Sequence, residues 1–168
     1  DLQIIKLANT IDPVFGSCKD TIVNIFDDCK GPVTLAAGAT DDCTPIESLK
    51  YTYRIDLNDD GIADANLSGT TRQFTHVLPV GKHRVYWTVE DQCSNRTLCN
   101  YLVTVRDGKK PTPYCLSSIT TVVMPSSGVI TIWAKDFDHG SFDNCTPQNK
   151  LKISFSSDVK DTSDIFQC

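Results

Sequence analysis

The stretch HRVYWTVE, at residues 83–90, decides the fold class. Apolar and polar side chains alternate along it: Val85, Trp87 and Val89 fall on one face of an extended chain, and Arg84, Tyr86, Thr88 and Glu90 fall on the other. This alternation predicts a half-buried strand in an antiparallel sheet. Residues 92–96 are short enough for a hairpin turn into a second strand, predicted over residues 97–106.

Upstream of this hairpin, the chain contains further β-branched and aromatic runs separated by clusters of Gly, Pro, Asn and Asp. They predict strands over residues 22–26, 33–37, 49–57 and 72–77. Helical periodicity is hard to find anywhere in the chain. Six or seven short strands in about 95 residues favour a β-sandwich, so the predicted fold class is all-β.

Several segments of the chain recur in the same order about 100 residues apart. The pairs are residues 4–9 with 102–107, 12–18 with 110–115, 31–36 with 128–133, and 39–45 with 141–147. The last pair reads ATDDCTP and SFDNCTP. Matches in one order at nearly one spacing predict tandem copies of a single domain.

The register of these matches divides the chain into three parts. Residues 1–11 are predicted to be the last strand of a preceding repeat, and residues 12–107 a complete repeat. Residues 108–168 then form the front half of a following repeat. If this register is right, residues 1–8 do not belong to the sandwich formed by residues 12–107, and the chain is a window cut from a longer array.

Charge, hydropathy and motif content argue against three function classes. The formal net charge is -5 and no basic run is present, which disfavours binding to nucleic acid. No apolar run approaches the roughly 20 residues that a membrane span needs, so no membrane insertion is expected. His76, His83 and His139 are scattered, and no nucleophile-elbow or zinc-protease motif occurs. We therefore predict that the chain is not an enzyme.

The chain contains eight cysteines, at positions 18, 29, 43, 93, 99, 115, 145 and 168. No Cys-x-x-Cys pair occurs, and no histidine lies at zinc-ligand spacing from a cysteine. Cysteines at this density without metal-site spacing indicate disulfides formed in an oxidising compartment. We therefore expect a secreted protein located outside the cell or at its surface.

Two segments resemble a known repeat family. LPVGKHRVYWTVEDQCSN at residues 78–95, followed by CNYLVTV at residues 99–105, resembles the end of a hyalin (HYR-type) repeat. That family pattern has a Pro-x-Gly turn, a Val-rich strand, an Asp-x-x-Gly-Asn turn, and then Cys and a Val-x-Val strand; Ser94 replaces the turn glycine. The DDCTP and KKPTPYC segments, at residues 41–45 and 109–115, resemble the cysteine-rich version found in large surface adhesins of Bacteroidota.

The resemblance implies tandem immunoglobulin-like β-sandwich repeats stapled by disulfides. It implies a structural stalk or filament segment of a large secreted cell-surface adhesin, with repeats acting as spacer or adhesive modules. The expected partners are neighbouring repeats of the same chain and other surface or filament proteins. A carbohydrate- or protein-binding β-sandwich module is the alternative, although a binder should show an exposed aromatic platform and the chain has two tryptophans. Asp20-Thr21-Ile22 fits the Asp-Ser/Thr-apolar pattern of that phylum, making Thr21 a possible O-glycosylation site.

Immunoglobulin-like geometry also suggests how the cysteines pair. Cys43 follows the second strand and Cys93 lies in the last hairpin, and these two loops share one end of such a sandwich. We therefore expect three bridges: Cys43–Cys93, Cys18–Cys99 between the starts of the first and last strands, and Cys145–Cys168 in the third segment. A bridge between Cys29 and Cys115 across the repeat junction is possible; otherwise Cys115 pairs with a strand beyond residue 168.

The segment DLNDDGIAD, at residues 56–64, follows the grammar of a calcium loop. It matches the first nine positions of an EF-hand-like loop, D-x-N-x-D-G-x-x-D. The candidate Ca²⁺ ligands are the side chains of Asp56, Asn58, Asp60 and Asp64 and the carbonyl of Ile62. The twelfth position is leucine instead of the usual bidentate glutamate, and an acidic hairpin loop remains the alternative.

Overall fold

The computed structural model describes residues 9–117 and 121–167. Within these ranges the chain is all-β, with short 3-10 helices at Ile46–Ser48, Ala134–Phe137 and Gln148–Lys150 and no α-helix. It divides into two compact units, Asp1–Gly108 and Lys109–Cys168. The prediction for residues 1–8 lies outside the described residues.

Strands β1 to β9 belong to the first unit and β10 and β11 to the second. Their bounds are β1 Val14–Phe15, β2 Thr21–Ile25, β3 Lys30–Ala36, β4 Ala39–Thr40, β5 Lys50–Leu57, β6 Ser68–Gly69, β7 Gln73–Pro79, β8 Gly81–Glu90, β9 Arg96–Asp107, β10 Val129–Trp133 and β11 Ser163–Gln167. The predicted hairpin from residue 83 to residue 106 is confirmed, because β8 and β9 pair antiparallel.

The first unit contains a five-stranded sheet in the order β2-β9-β8-β5-β6. Its pairs are antiparallel except β2–β9, which is parallel. Strands β3 and β7 form a separate antiparallel sheet, and the short strands β1 and β4 form another. The parallel pair places β2, near the start of the unit, beside β9, its last strand.

One hydrophobic cluster draws on both the five-stranded sheet and the β3–β7 sheet. Trp87, at the centre of this cluster, is 1% exposed. The Trp87 ring lies 5.5 Å from the centroids of both Tyr53 and Phe74. Val85 and Val89, on the same face of β8 as Trp87, are fully buried, which confirms the alternation predicted for this strand. Burial of each large apolar side chain stabilises the fold by about 1.5–3 kcal/mol, so this inward face holds the unit together.

The second unit repeats strand pairings of the first. Strand β10 pairs antiparallel with β11, as β3 does with β7. The matched segment 31–36 lies in β3, and its counterpart 128–133 lies in β10 from residue 129 onward. The antiparallel bridge from Thr112 to Phe142 corresponds by sequence match to the pair Val14–Thr40. The sequence repeat is therefore also a repeat of backbone pairing.

The recurring Asp-x-Cys-Thr-Pro segment forms the same turn in both units. In the first unit, Asp41 Oδ2 accepts hydrogen bonds from the backbone N–H groups of Cys43 at 3.1 Å and Thr44 at 2.7 Å. In the second, Asp143 Oδ2 accepts the matching pair, from Cys145 at 3.1 Å and Thr146 at 2.7 Å. A 3-10 helix follows the proline each time. In both units the aspartate side chain therefore fixes the turn.

Candidate functional site

The predicted disulfide between Cys18 and Cys99 is present, with the two Cα atoms 5.8 Å apart. Cys18 lies in the segment before β2, and Cys99 lies near the start of β9. Because β2 and β9 run parallel, the bridge clamps the ends at which both strands begin. Next to it, Asp20 Oδ1 accepts the backbone N–H of Leu102 at 2.9 Å. The entry and exit strands of the unit are therefore joined covalently.

The predicted Cys43–Cys93 bridge is not formed; both residues carry exposed free thiols. Their loops do share one end of the unit, because Gln92 N–H donates to Thr44 Oγ1 at 3.2 Å. However, separate aspartate-capped turns fix the two backbones: Asp41 accepts from Cys43 N–H and Asp91 accepts from Cys93 N–H. These turns present both thiols to solvent. The sequence located the loops correctly but not the directions of their side chains.

The other cysteines give a mixed outcome. Repulsion from the Asp42 carboxylate, helped by slight desolvation, by a hydrogen bond with Asp42 and by the charge of Asp41, raises the pKa of the Cys43 thiol. A raised pKa keeps this sulfur protonated, and a protonated thiol is a poor attacking group in disulfide exchange. In the second unit Cys115 carries an exposed thiol, and the bridge considered between Cys29 and Cys115, which would join the two units, stays a prediction. The predicted Cys145–Cys168 bridge involves a residue outside the described ranges.

The candidate calcium loop begins at the end of β5, where Asp56 is fully buried. Its carboxylate accepts backbone N–H groups from inside the loop, Oδ1 from Asp60 at 3.0 Å and Oδ2 from Gly61 at 2.8 Å. At the other end of the loop, Asp64 Oδ2 accepts Leu57 N–H at 2.8 Å, and Asp64 N–H donates to the carbonyl of Ile55 at 2.8 Å. The hydrogen bonds of Asp56 and Asp64 therefore hold the loop to the end of β5.

The candidate ligands in the middle of the loop are less closely grouped. Asp60 Oδ1 accepts Ile62 N–H at 2.9 Å, and Asn58 adopts a left-handed backbone conformation with φ of 68°. Across the described ranges, no three histidine, cysteine, aspartate or glutamate side chains are grouped so that they could hold a metal ion. A carboxylate oxygen has two lone pairs, so bonds to backbone N–H groups leave acceptor capacity for a cation. The loop is thus rich in oxygen ligands, and its carboxylates accept hydrogen bonds from the backbone around them.

Two neighbouring side chains hold this loop against β8. His83 is fully buried; its Nδ1 accepts Asn58 N–H at 3.2 Å, and its Nε2 lies 2.8 Å from the carbonyl of Pro79. The two contacts together place the ring proton on Nε2. Arg84 Nε donates to Asp59 at 2.6 Å, and the Arg84 hydrogen bond lowers the pKa of the Asp59 carboxyl. Asp59, at a position outside the candidate ligand set, is therefore engaged by Arg84.

Asp91 forms a second polar centre, at the start of the Asp-x-x-Ser-Asn turn in the segment that resembles a hyalin repeat. It is 1% exposed; its Oδ1 accepts the backbone N–H groups of Cys93 and Asn95, and its Oδ2 accepts the Asn95 side-chain amide at 2.6 Å. The same amide also donates to the carbonyls of Asn9 and Ile11. Asp91 and Asn95 therefore anchor the beginning of the described chain, and their spacing of four residues was the available signal.

Burial alone would raise the pKa of Asp91, but hydrogen bonds from Asn95, Cys93 and Ser94 outweigh it and lower that pKa. The stability contributed by this carboxylate is therefore present above its unfolded pKa of about 3.9 and lost as pH falls through the lower folded value. We expect Asp91→Asn to lower the melting temperature at pH 7, and the difference from the parent chain to shrink below about pH 4. Thermal unfolding from pH 2 to pH 7 measures this.

The exposed Asp27 provides the matched control for that measurement. Asp27→Asn removes the same charge from an exposed residue and should leave the melting temperature nearly unchanged at every pH. A constant difference between the parent chain and Asp91→Asn across the whole range would contradict the assignment.

Comparison with protein-family models, curated proteins and solved structures gives no match. The resemblance to hyalin repeats therefore rests on the motifs quoted above. In the described ranges no helix is both long enough and apolar enough to cross a membrane. Thr21, the candidate glycosylation site, is half-buried at the start of β2.

Proposed function

We propose that this chain is a structural stalk or filament segment of a large secreted cell-surface adhesin, in which immunoglobulin-like repeats act as spacer or adhesive modules. The observation that carries the proposal is the position of the Cys18–Cys99 bridge. A spacer must transmit tension between its two ends without unfolding. This bridge supplies that property, because it joins the segment that enters the first unit to the strand that leaves it.

The route of tension follows from the chain order. Tension that enters before Cys18 crosses the disulfide to Cys99 and leaves along the backbone of β9 through Asp107. The sequence separation of 81 leaves 80 residues between the two cysteines, and none of them lies on this covalent path. Strands β2 to β8 therefore lie off this covalent path, and only the part of β9 after Cys99 carries the load.

Repetition of the turn and strand pairs supports the tandem arrangement. An array of similar domains gives length in proportion to the number of copies, and each copy contacts mainly its neighbours. Disulfides of this kind persist outside the cytosol, which supports a location on the cell surface. Neighbouring repeats of the same chain are then its first partners, with other surface or filament proteins beyond them.

Calcium binding at residues 56–64 is a further part of this proposal. The residues that would hold the ion are Asp56, Asn58, Asp60 and Asp64, with the carbonyl of Ile62. Carboxylate and carbonyl oxygens are the ligands that Ca²⁺ prefers. Bound calcium would neutralise the repulsion among these carboxylates. It would thereby stiffen the loop that follows β5 in the five-stranded sheet.

Labelling of intact cells tests the structural role. Antibodies raised against the 168-residue chain, detected by gold particles in electron micrographs of cells that produce the parent protein, should mark projections at a distance from the cell envelope. Brief protease treatment of intact cells should remove the label. Label confined to the cell interior, or held flat against the envelope, would contradict a stalk.

A further inference from the structure

The outward face of the five-stranded sheet contains a shallow open groove that no motif of the sequence indicated. The groove has a volume of about 770 Å³ and lies along β5, beside the β6–β7 connection. Its charged lining side chains are Lys50, Arg54, Arg72, Arg96, Glu47 and Glu90. Four cations against two carboxylates give a local positive excess, whereas the whole chain has a net charge of -5.

The internal ion pairs of the groove leave two guanidinium groups available. Glu90 forms ion pairs with its neighbours on both adjacent strands, Arg96 at 2.6 Å and Lys50 at 3.8 Å. Within the described ranges, neither Arg54 nor Arg72 forms an ion pair with a carboxylate. Arg54 and Arg72 are therefore the two cations of the groove that no carboxylate of the described ranges pairs with.

Arg54 is held in a position suited to an incoming anion. Its guanidinium carbon lies 5.7 Å from the centroid of the Tyr86 ring. Contact with an aromatic face restrains the guanidinium while its N–H donors stay open to an acceptor in the groove. A planar fork of donors matches the two oxygens of a carboxylate, so carboxylate groups are the ligands that fit best.

Hydroxyl groups line the rest of the groove and narrow the class of ligand. Thr52 and Thr88 face each other across β5 and β8, and Thr70 lies on the β6–β7 side. Hydroxyls that both donate and accept suit the alcohol groups of a sugar. A peptide added as a strand would need the β5 edge at Arg54, but β6 already pairs there. This favours a sugar polymer over an acidic polypeptide.

We propose that this groove binds an acidic polysaccharide, a polymer that contains carboxylated sugars. Arg54 and Arg72 engage carboxylates of successive acidic units, and the threonine hydroxyls hydrogen-bond to the sugar alcohols. The open mouth lets a long chain pass across the sheet without needing a free chain end. This activity does not depend on the structural role, because a load-bearing spacer needs no ligand on this face.

Titration of the 168-residue chain with hyaluronan and with polygalacturonate oligosaccharides, in chelator and at low ionic strength, tests the proposal. The expected result is saturable binding to at least one of them, weakened by added salt because exposed charges are screened beyond about 10 Å at 0.1 M. Arg54→Gln/Arg72→Gln should raise Kd about tenfold or more through loss of two charge-assisted contacts. Neutral dextran should not bind.

The matched control changes two exposed cations on the same face of the same sheet, Lys82 and Arg106, which lie outside the groove lining. Lys82→Gln/Arg106→Gln removes equal charge and should leave Kd nearly unchanged. If both double variants are folded by circular dichroism and lose affinity equally, the proposal is overturned, because binding then depends on the overall charge of the sheet face and not on the groove. Polyglutamate binding as tightly as the sugars, or no binding of either oligosaccharide, would also overturn it.

Discussion

Reduction of the Cys18–Cys99 disulfide is expected to lengthen the first unit by about 280 Å when the chain is pulled from its two ends, because 80 residues then join the load path at roughly 3.5 Å each. With the bridge intact, only the segments before Cys18 and after Cys99 can extend. Stretching single molecules with and without a reductant measures the difference directly. An extension that is the same in both conditions would show that tension does not cross this bridge.

The same disulfide should dominate the thermodynamic stability of the first unit. Closing a loop of about 80 residues restricts the unfolded chain and contributes about 4.5 kcal/mol in the chain-entropy model. We expect Cys18→Ala/Cys99→Ala to lower the free energy of unfolding by about that amount in chemical denaturation. The control is Cys43→Ala/Cys93→Ala, which removes two exposed thiols and should change neither stability nor extension.

The sequence predicted the all-β class and the β8–β9 hairpin well because burial imposes a simple pattern on a strand. Val85, Trp87 and Val89 must share a face if that face is to be removed from water, so their spacing reveals the fold. Asn95 was visible as part of a family-like turn, yet its amide bonds to the carbonyls of Asn9 and Ile11 arise only when the fold brings distant parts of the chain together. Ser94, with φ of 73°, occupies the left-handed position for which that family uses glycine.

The limits of prediction are equally physical. The end of the unit shared by Cys43 and Cys93 follows from topology, but whether two thiols meet depends on side-chain direction, which the neighbouring aspartate turns set locally. The basic groove was missed because its arginines come from separate segments, β5, the β6–β7 connection and β9. No local pattern in the sequence records that the sheet brings such charges together. Clusters built by long-range pairing can be identified only after the fold is known.

Calcium is expected to stabilise the chain against heat through the loop at residues 56–64. Without a glutamate at the twelfth position, we expect a Kd of about 10⁻⁴–10⁻³ M, as for extracellular calcium modules. At 10 mM calcium such an affinity contributes about 1–3 kcal/mol to the folded state. This corresponds to a rise in melting temperature of roughly 5–15 °C for a domain of this size. Melting curves of the 168-residue chain in calcium and in chelator measure it, with magnesium at equal ionic strength as the control ion.

Two adjacent carboxylates separate calcium binding from the ordinary stability of an acidic turn. Asp60 occupies a candidate ligand position, whereas Asp59 next to it is engaged by Arg84 at 2.6 Å. Replacing Asp60 by Asn keeps an acceptor for Ile62 N–H but weakens the hold on a cation, so Asp60→Asn should lose most of the calcium-induced rise. Asp59→Asn removes the same charge and should keep that rise, even if its baseline melting temperature falls with the loss of the ion pair.

Asp56 is a poorer target, because its carboxylate caps two backbone N–H groups and its removal would unfold the loop with or without calcium. Equal melting temperatures in calcium and chelator for the parent chain would identify residues 56–64 as an acidic hairpin closed by its own hydrogen bonds.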